Sequence, residues 1–186
     1  MAVAPAQLTI EQFVALPEEE PPLEFADGVV TQKVSPKAQH SVLQAELIKR
    51  LDHAGLPGRV ARALPELRAT FGGASRVPDI AVYRLARIPR DARGRIANDF
   101  FEPPDIAIEI VSPEQSPNAL VRRCLWFVAQ GVQVALLVDP ADESVLAFRS
   151  DGRVDTWHGA DRIDLSEVLP DFELTVEQLF MTLCEV

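Results

Sequence analysis

An α/β (α+β) fold, with a central mixed β-sheet flanked by helices and carrying extra β-hairpins, is predicted by three observations. The first is a strand–helix–strand unit over residues 105–111, 117–130 and 132–139, whose two apolar strands follow too closely on the helix to pair except as a parallel crossover. The second is that the other β segments come in pairs around turn signals, Asp27-Gly28 and Gly72-Gly73. The third is size and balance: 186 residues, 47% hydrophobic and 25% charged, suit one domain over 1–186 with its own core and argue against disorder.

The elements follow in order. Thr9 and Gln12 have capping-box spacing and open a short helix that ends near Pro17. EEEPP (18–22) is a polar break, and residues 23–34 read as a hairpin about Asp27-Gly28. After Pro36, Val42, Leu43, Leu47, Ile48 and Leu51 recur at helical spacing until Gly55 stops the helix. Residues 58–63 and 66–71 read as strands, as does VPDIAVYR (77–84). Beyond DIAIEIV (105–111), Ser116-Pro117 supply an N-cap and a first helical residue, and Gly131 closes the helix they open. Strands near 144–149 and 153–158 and a helix over 175–183 complete the chain.

Composition excludes several functions. No apolar run is long enough to span a bilayer, and MAVAPAQLTIEQF lacks the basic start and apolar core of a signal peptide. Cys124 and Cys184 form no disulfide framework or zinc motif, so a reducing cytoplasm is expected, with Cys124 a core helix residue. Neither GxxxxGK[ST] nor GxGxxG occurs, which leaves nucleotide cofactors without support. The net charge of −10 disfavours a non-specific nucleic-acid coat, yet residues 50–95 hold ten Arg against four acids. RLARIPRDARGR (84–95) is densest, with Arg84, Arg87, Arg90, Arg93 and Arg95: either a solvated loop or a stretch that contacts phosphates.

Chemistry is suggested by three acids inside apolar strands. Glu24 lies between Leu23 and Phe25, Asp79 precedes Ile80, and Glu109 lies between Ile108 and Ile110. Side chains alternate along a strand, so Ile106, Ile108 and Ile110 share one face while Asp105, Ala107, Glu109 and Val111 share the other. A carboxylate partly buried there needs a cation, which is either an arginine or a divalent metal. Mg²⁺ takes oxygen ligands and is held through one or two carboxylates, keeping waters for its substrate.

VPDIAVYR followed by PPDIAIEIVSP resembles the PD-(D/E)XK nuclease core. LPEEEPPLEFADGVV, VSPKAQHSVLQAELIKRL, PPDIAIEIVSPEQS and VRRCLWFVAQGVQVALLVDP, in that order, resemble the Uma-two restriction endonuclease family over most of the chain. The resemblance implies a restriction-endonuclease-like core. It places the metal-binding acids on Asp79 and Glu109, a backbone carbonyl ligand on Ile110, an early acid on Glu24 and a helix-opening histidine on His40. Glu66 is a fainter candidate. The family's lysine, displaced onto the following helix, falls on Arg123, and its tyrosine on Phe127. Arg stays protonated, so it can clamp or stabilise charge but not act as a base. Arg122 and Arg123 otherwise read as surface arginines lying beside Trp126.

The resulting expectation is a Mg²⁺- or Mn²⁺-dependent DNA endonuclease, with Asp79, Glu109, Glu24, His40 and Arg123 at the site. Arg84, Arg87, Arg90, Arg93, Arg95 and Arg122 would contact nucleic acid. By analogy with small nucleases that cut both strands, a homodimer is expected. The alternatives are a nuclease-like scaffold that binds nucleic acid or protein, and a metal-dependent hydrolase of a small phosphate ester.

Overall fold

The computed structural model describes residues 8–17, 19–113 and 115–184. The first seven residues of MAVAPAQLTIEQF, Glu18 of EEEPP, Glu114 and residues 185–186 lie outside them. Helices are α1 (Ile10–Val14), α2 (Ala38–Gly55), α3 (Pro117–Ala129) and α4 (Val176–Met181). Strands are β1 (Leu23–Ala26), β2 (Val29–Gln32), β3 (Ala61–Pro65), β4 (Ala69–Phe71), β5 (Ala74–Arg76), β6 (Ile80–Arg84), β7 (Ile106–Ile110), β8 (Val134–Asp139), β9 (Ser144–Arg149) and β10 (Val154–His158).

They form two sheets. The central one is mixed and six-stranded, in the order β10-β9-β8-β7-β6-β3. Only β7 and β8 run parallel, the pair joined by α3 as the sequence predicts. The hairpins form a four-stranded antiparallel sheet, β2-β1-β5-β4. Asp27 and Gly28 both have positive φ, 53° and 76°, which a type I′ turn requires at its two central positions. Thr9 caps α1 through the expected reciprocal bonds with Gln12.

Alternation sorts the core into two layers. Ile80, Val82, Ile106, Ile108 and Ile110 face Leu43, Leu47 and Leu51 of α2 and Val176, Leu179 and Phe180 of α4. Ala107, Ala135 and Leu137 face Leu120, Cys124 and Phe127 of α3, against which Ala69 and Phe71 of β4 also close. Helix α3 is thus held between the sheets, and alanines on the β7–β8 face leave room for it. Each fully buried Leu or Ile contributes about 1.5–3 kcal/mol, so these layers dominate stability.

The apolar pattern of α2 resolves into an enclosed stripe, His40, Leu43, Leu47 and Leu51, with Val42 exposed. One detail departs from the sequence reading. Residues 74–76, which the sequence reading leaves without a strand of their own, form β5. Gly55 ends α2 where an added Cβ would sit 2.5 Å from the Ala61 carbonyl oxygen, which no larger residue can satisfy without moving the chain.

Candidate active site

Strands β6 and β7 are antiparallel with Ile80 opposite Ile108, so one step further sets Asp79 opposite Glu109. Both carboxylates lie on the α3 side of the sheet, and they are only 3% and 2% exposed. Glu24, on β1, is equally buried and comes to the same place from the other sheet.

Arg123 joins the two sheets. Its Nη1 and Nη2 each donate to Glu24, to Oε2 and Oε1 at 2.5 Å, its Nε donates to Glu109 Oε1 at 2.6 Å, and Nη2 also donates to the Val77 carbonyl at 3.0 Å. The Val77 N–H completes the Glu24 shell at 2.6 Å. The guanidinium lies over Phe127, 5.5 Å from the ring centroid, so its aromatic neighbour is the residue four positions on. Trp126 lies instead beneath Arg76.

Asp79 has a separate set of partners. Its Oδ2 accepts from the Ile110 N–H at 2.6 Å and lies 3.0 Å from His40 Nε2, while Oδ1 lies 2.7 Å from Lys33 Nζ. Lys33 also donates to Glu66 Oε2 at 2.5 Å. Gln44 ties the two acids together, donating to Glu66 Oε1 at 2.9 Å and to the Asp79 carbonyl at 2.8 Å. His40 Nδ1 is buried with no partner.

The charges do not balance. Glu24, Glu66, Asp79 and Glu109 bring four carboxylates into this bonded network, against the two cations Arg123 and Lys33. Burial opposes ionisation of Glu24, but the Arg123 fork and the Val77 amide overcome it and hold that carboxyl below its usual range. Burial likewise disfavours the Asp79 anion, yet the His40 contact and Lys33 bring it down to about 2. Glu109 receives a single Arg123 bond. Burial pushes it up to about 8, with Asp79 and Glu24 adding repulsion against the pull of Arg123 and Lys33. Lys33 is raised, since its acidic neighbours outweigh its burial.

A group short of positive charge, with oxygen donors facing each other across adjacent strands, has the chemistry of a hard divalent cation site. Among the described residues, no three His, Cys, Asp or Glu side chains converge as metal ligands.

A cleft of about 610 Å³ opens beside this network, its walls including Lys33, Gln44, Glu66, Val77, Phe100 and Phe101. Lys33 and Glu66 therefore bridge buried acid and open space. The arginine-rich loop is arranged differently. Arg84 and Arg87 pair with Asp105, fully buried beside the start of β7, at 2.5 and 2.8 Å. This is the far end of β6 from Asp79, about 16 Å along a five-residue strand. Arg95 pairs with Asp91, Arg90 bonds the Gly94 carbonyl, and Arg93 and Arg122 are exposed.

Of the residues singled out in the sequence, Asp79, Glu109, Glu24, His40, Arg123 and the Ile110 backbone come together, Ile110 through its N–H. The fainter Glu66 joins them. Lys33 and Gln44 were missed. The available signal was that the chain has three lysines against fifteen arginines, and that Lys33 closes the hairpin bearing Glu24.

Fold and site together define a mixed α/β domain with buried acids on adjacent strands of its central sheet. The family model Uma2, described as "Putative restriction endonuclease", matches residues 10–177, and the chain belongs to that family. Among solved structures, the chain is similar to "a putative nuclease belonging to DUF820" from Anabaena variabilis. The two share 36% identity and a TM-score of 0.90 over 94% of this chain and 98% of that one. A DrdV–DNA complex matches at 12% identity and a TM-score of 0.35, over 74% of this chain and 13% of that one. No curated protein matches. No helix among the described residues is long and apolar enough to cross a membrane.

Proposed function

We propose that the protein is a Mg²⁺- or Mn²⁺-dependent endonuclease that hydrolyses phosphodiester bonds in DNA. The observation that carries this reading is the Asp79–Glu109 pair, set opposite one another in a buried network with four carboxylates and two cations. Asp79 and Glu109 would hold the ion, with the Ile110 carbonyl and Glu24 completing its surroundings. A bound ion would polarise the phosphate and lower the pKa of an attacking water.

The chain's own residues have separable tasks. His40 and the Ile110 N–H fix the Asp79 carboxylate. Arg123 spends its donors on Glu24, Glu109 and Val77, so it positions the carboxylates rather than meeting substrate. Lys33 reaches both Asp79 and the cleft, and its ammonium is the group that would donate to a phosphate oxygen as negative charge develops. Arg90, Arg93, Arg95 and Arg122 would give sequence-independent backbone contacts, and two copies of the chain would serve the two strands.

The test is cleavage of supercoiled plasmid with Mg²⁺ or Mn²⁺ by the parent, Asp79→Asn, Glu109→Gln and Lys33→Met. Nicking or linearisation by the parent that disappears in all three is expected. Full activity of Asp79→Asn would refute the assignment. The cleft's nucleotide-scale volume favours one second reading, hydrolysis of a small phosphate ester. Under that reading, replacing Arg90, Arg93 and Arg95 with Gln leaves activity intact, whereas DNA cleavage should suffer.

A further inference from the structure

Arg76 stands at the edge of this network, and none of the hydrogen bonds or ion pairs of the network reaches its guanidinium. It ends β5, where Phe25 of β1 lies opposite Ser75, so one step along the antiparallel pair sets Arg76 across from Glu24. A cross-strand Glu–Arg pair is an ordinary stabilising arrangement. Here it is pre-empted: both Glu24 oxygens are taken by the Arg123 fork, and Oε1 also accepts the Val77 N–H.

Arg76 is left lying on Trp126, its Cζ 5.2 Å from the ring centroid. Its Nε is buried with no hydrogen-bond partner, and no described residue forms a hydrogen bond or ion pair with its guanidinium. Burial, and then the neighbouring charge of Arg123, weigh against its own charge and outweigh the support it draws from Glu24, Glu109 and Asp27. A buried donor without a partner weighs against the folded state, and the Arg76 Nε is one. An oxyanion on the remaining guanidinium N–H groups would offset the charge, and phosphate suits the planar fork best. The indole face holds the fork in place beforehand, so little side-chain entropy is lost on binding.

Resting on the endonuclease reading, we propose that Arg76 is an anion-binding residue at the edge of this network and takes a backbone phosphate of the nucleic-acid chain. A purely structural arginine would contribute to folding and leave salt-dependent binding alone. A phosphate contact carries one counterion's worth of salt dependence, about 0.7–0.9 in the slope of log K against log salt.

The experiment is fluorescence anisotropy of a labelled oligonucleotide, single-stranded and duplex, in chelator and at several salt concentrations. Wild type is compared with Arg76→Gln and Arg76→Lys, and each is checked by thermal melting. Arg76→Gln is expected to bind about tenfold more weakly and to lose about one unit of salt slope, while Arg76→Lys keeps the slope and loses part of the affinity. Unchanged affinity and slope in a folded Arg76→Gln protein would overturn the proposal. If that variant does not fold, wild-type affinity in Arg76→Lys would overturn it, since lysine lacks the fork.

Inorganic phosphate, followed by Trp fluorescence, separates the two sources of the anion. Tight, Arg76-dependent binding of phosphate alone would give the site to a free anion and overturn the chain-phosphate version. Because the readout needs no turnover, the two readings can fail separately. Arg76-dependent DNA binding without plasmid cleavage sinks the endonuclease and keeps the contact. Cleavage with an unchanged KM in Arg76→Gln does the reverse.

Discussion

Removing Arg123 is the sharpest probe of the network, because one side chain there satisfies two buried acids. In Arg123→Met, Glu24 loses both of its side-chain donors and Glu109 its only one from this residue, while both carboxylates stay enclosed at 5% and 2% exposure. Breaking a buried pair by deleting one partner typically costs about 3–5 kcal/mol, mostly as the penalty on the stranded charge. For a chain of this size each kcal/mol moves the melting temperature by about 2–4 °C. The melting temperature in chelator at pH 8 should therefore fall by about 6–20 °C.

The sign of the pH dependence follows from the same cause. Without Arg123 both acids have raised pKa values in the folded state, so folding favours their protonated forms, and stability is lost as pH rises. The gap to wild type should be widest at pH 8 and should narrow at pH 5. The double variant Glu24→Gln/Arg123→Met should recover part of the loss, since one stranded charge is gone. Differential scanning calorimetry across pH is the assay. A melting temperature within about 2 °C of wild type at pH 8, or a deficit of equal size at pH 5 and pH 8, would refute the electrostatic argument.

Glu109, pushed up to about 8 from 4.5, should make metal-free wild type lose stability relative to Glu109→Gln as pH rises between those values. Thermal melts of the two in chelator should diverge over that window, and parallel curves would show that burial does not raise this carboxyl. Mn²⁺ at pH 8 should raise the melting temperature of wild type more than that of Glu109→Gln, an outcome read by differential scanning fluorimetry. Asp105→Ala should cost about 3 kcal/mol in urea unfolding, because Arg84 and Arg87 lose a fully buried partner. Arg93→Ala, on the same loop but exposed, should stay within about 0.5 kcal/mol of wild type.

How much of this was legible in the sequence depended on whether the signal was local. Strands β7 and β8 could be read because their apolar runs are bounded by turn residues. Glu109 could be singled out because it interrupts such a run. The two-residue period then put Glu109 and Ala107 on one face, where α3 packs. The hairpin at Asp27-Gly28 was visible because its backbone demand is met by residue type alone. Strand β5 was not, since Ala74–Arg76 is too short for any alternation to show. The apolar spacing that marked α2 did not say which of its residues are enclosed: Val42 is exposed, and the buried face takes in His40, whose partner Asp79 lies on another element. Lys33 gave no local sign of burial, and Arg84 and Arg87 looked like a solvated charge run because nothing nearby in sequence revealed that Asp105 is enclosed.

The same geometry accounts for the arginine where the family resemblance leads one to look for lysine. The proposed activity sets two tasks in this site, and they need different cations. One is to hold Glu24 and Glu109, from two sheets, in fixed relation. That needs several donors in a rigid plane, which guanidinium has and ammonium lacks. The Arg123 donors are used up on this, and its charge is permanent. The other is to bring a compact, rotatable donor to the edge of the cleft. Lys33 stands there, held by Asp79 and Glu66 and reachable from open space. A lysine at 123 would leave the carboxylates under-held, and an arginine at 33 would put a broad planar group where Gln44 and Glu66 already close in. On the endonuclease proposal, the departure at 123 therefore counts less against the chemistry than the motif alone suggests, because Lys33 of the hairpin would supply the amine that the helix does not.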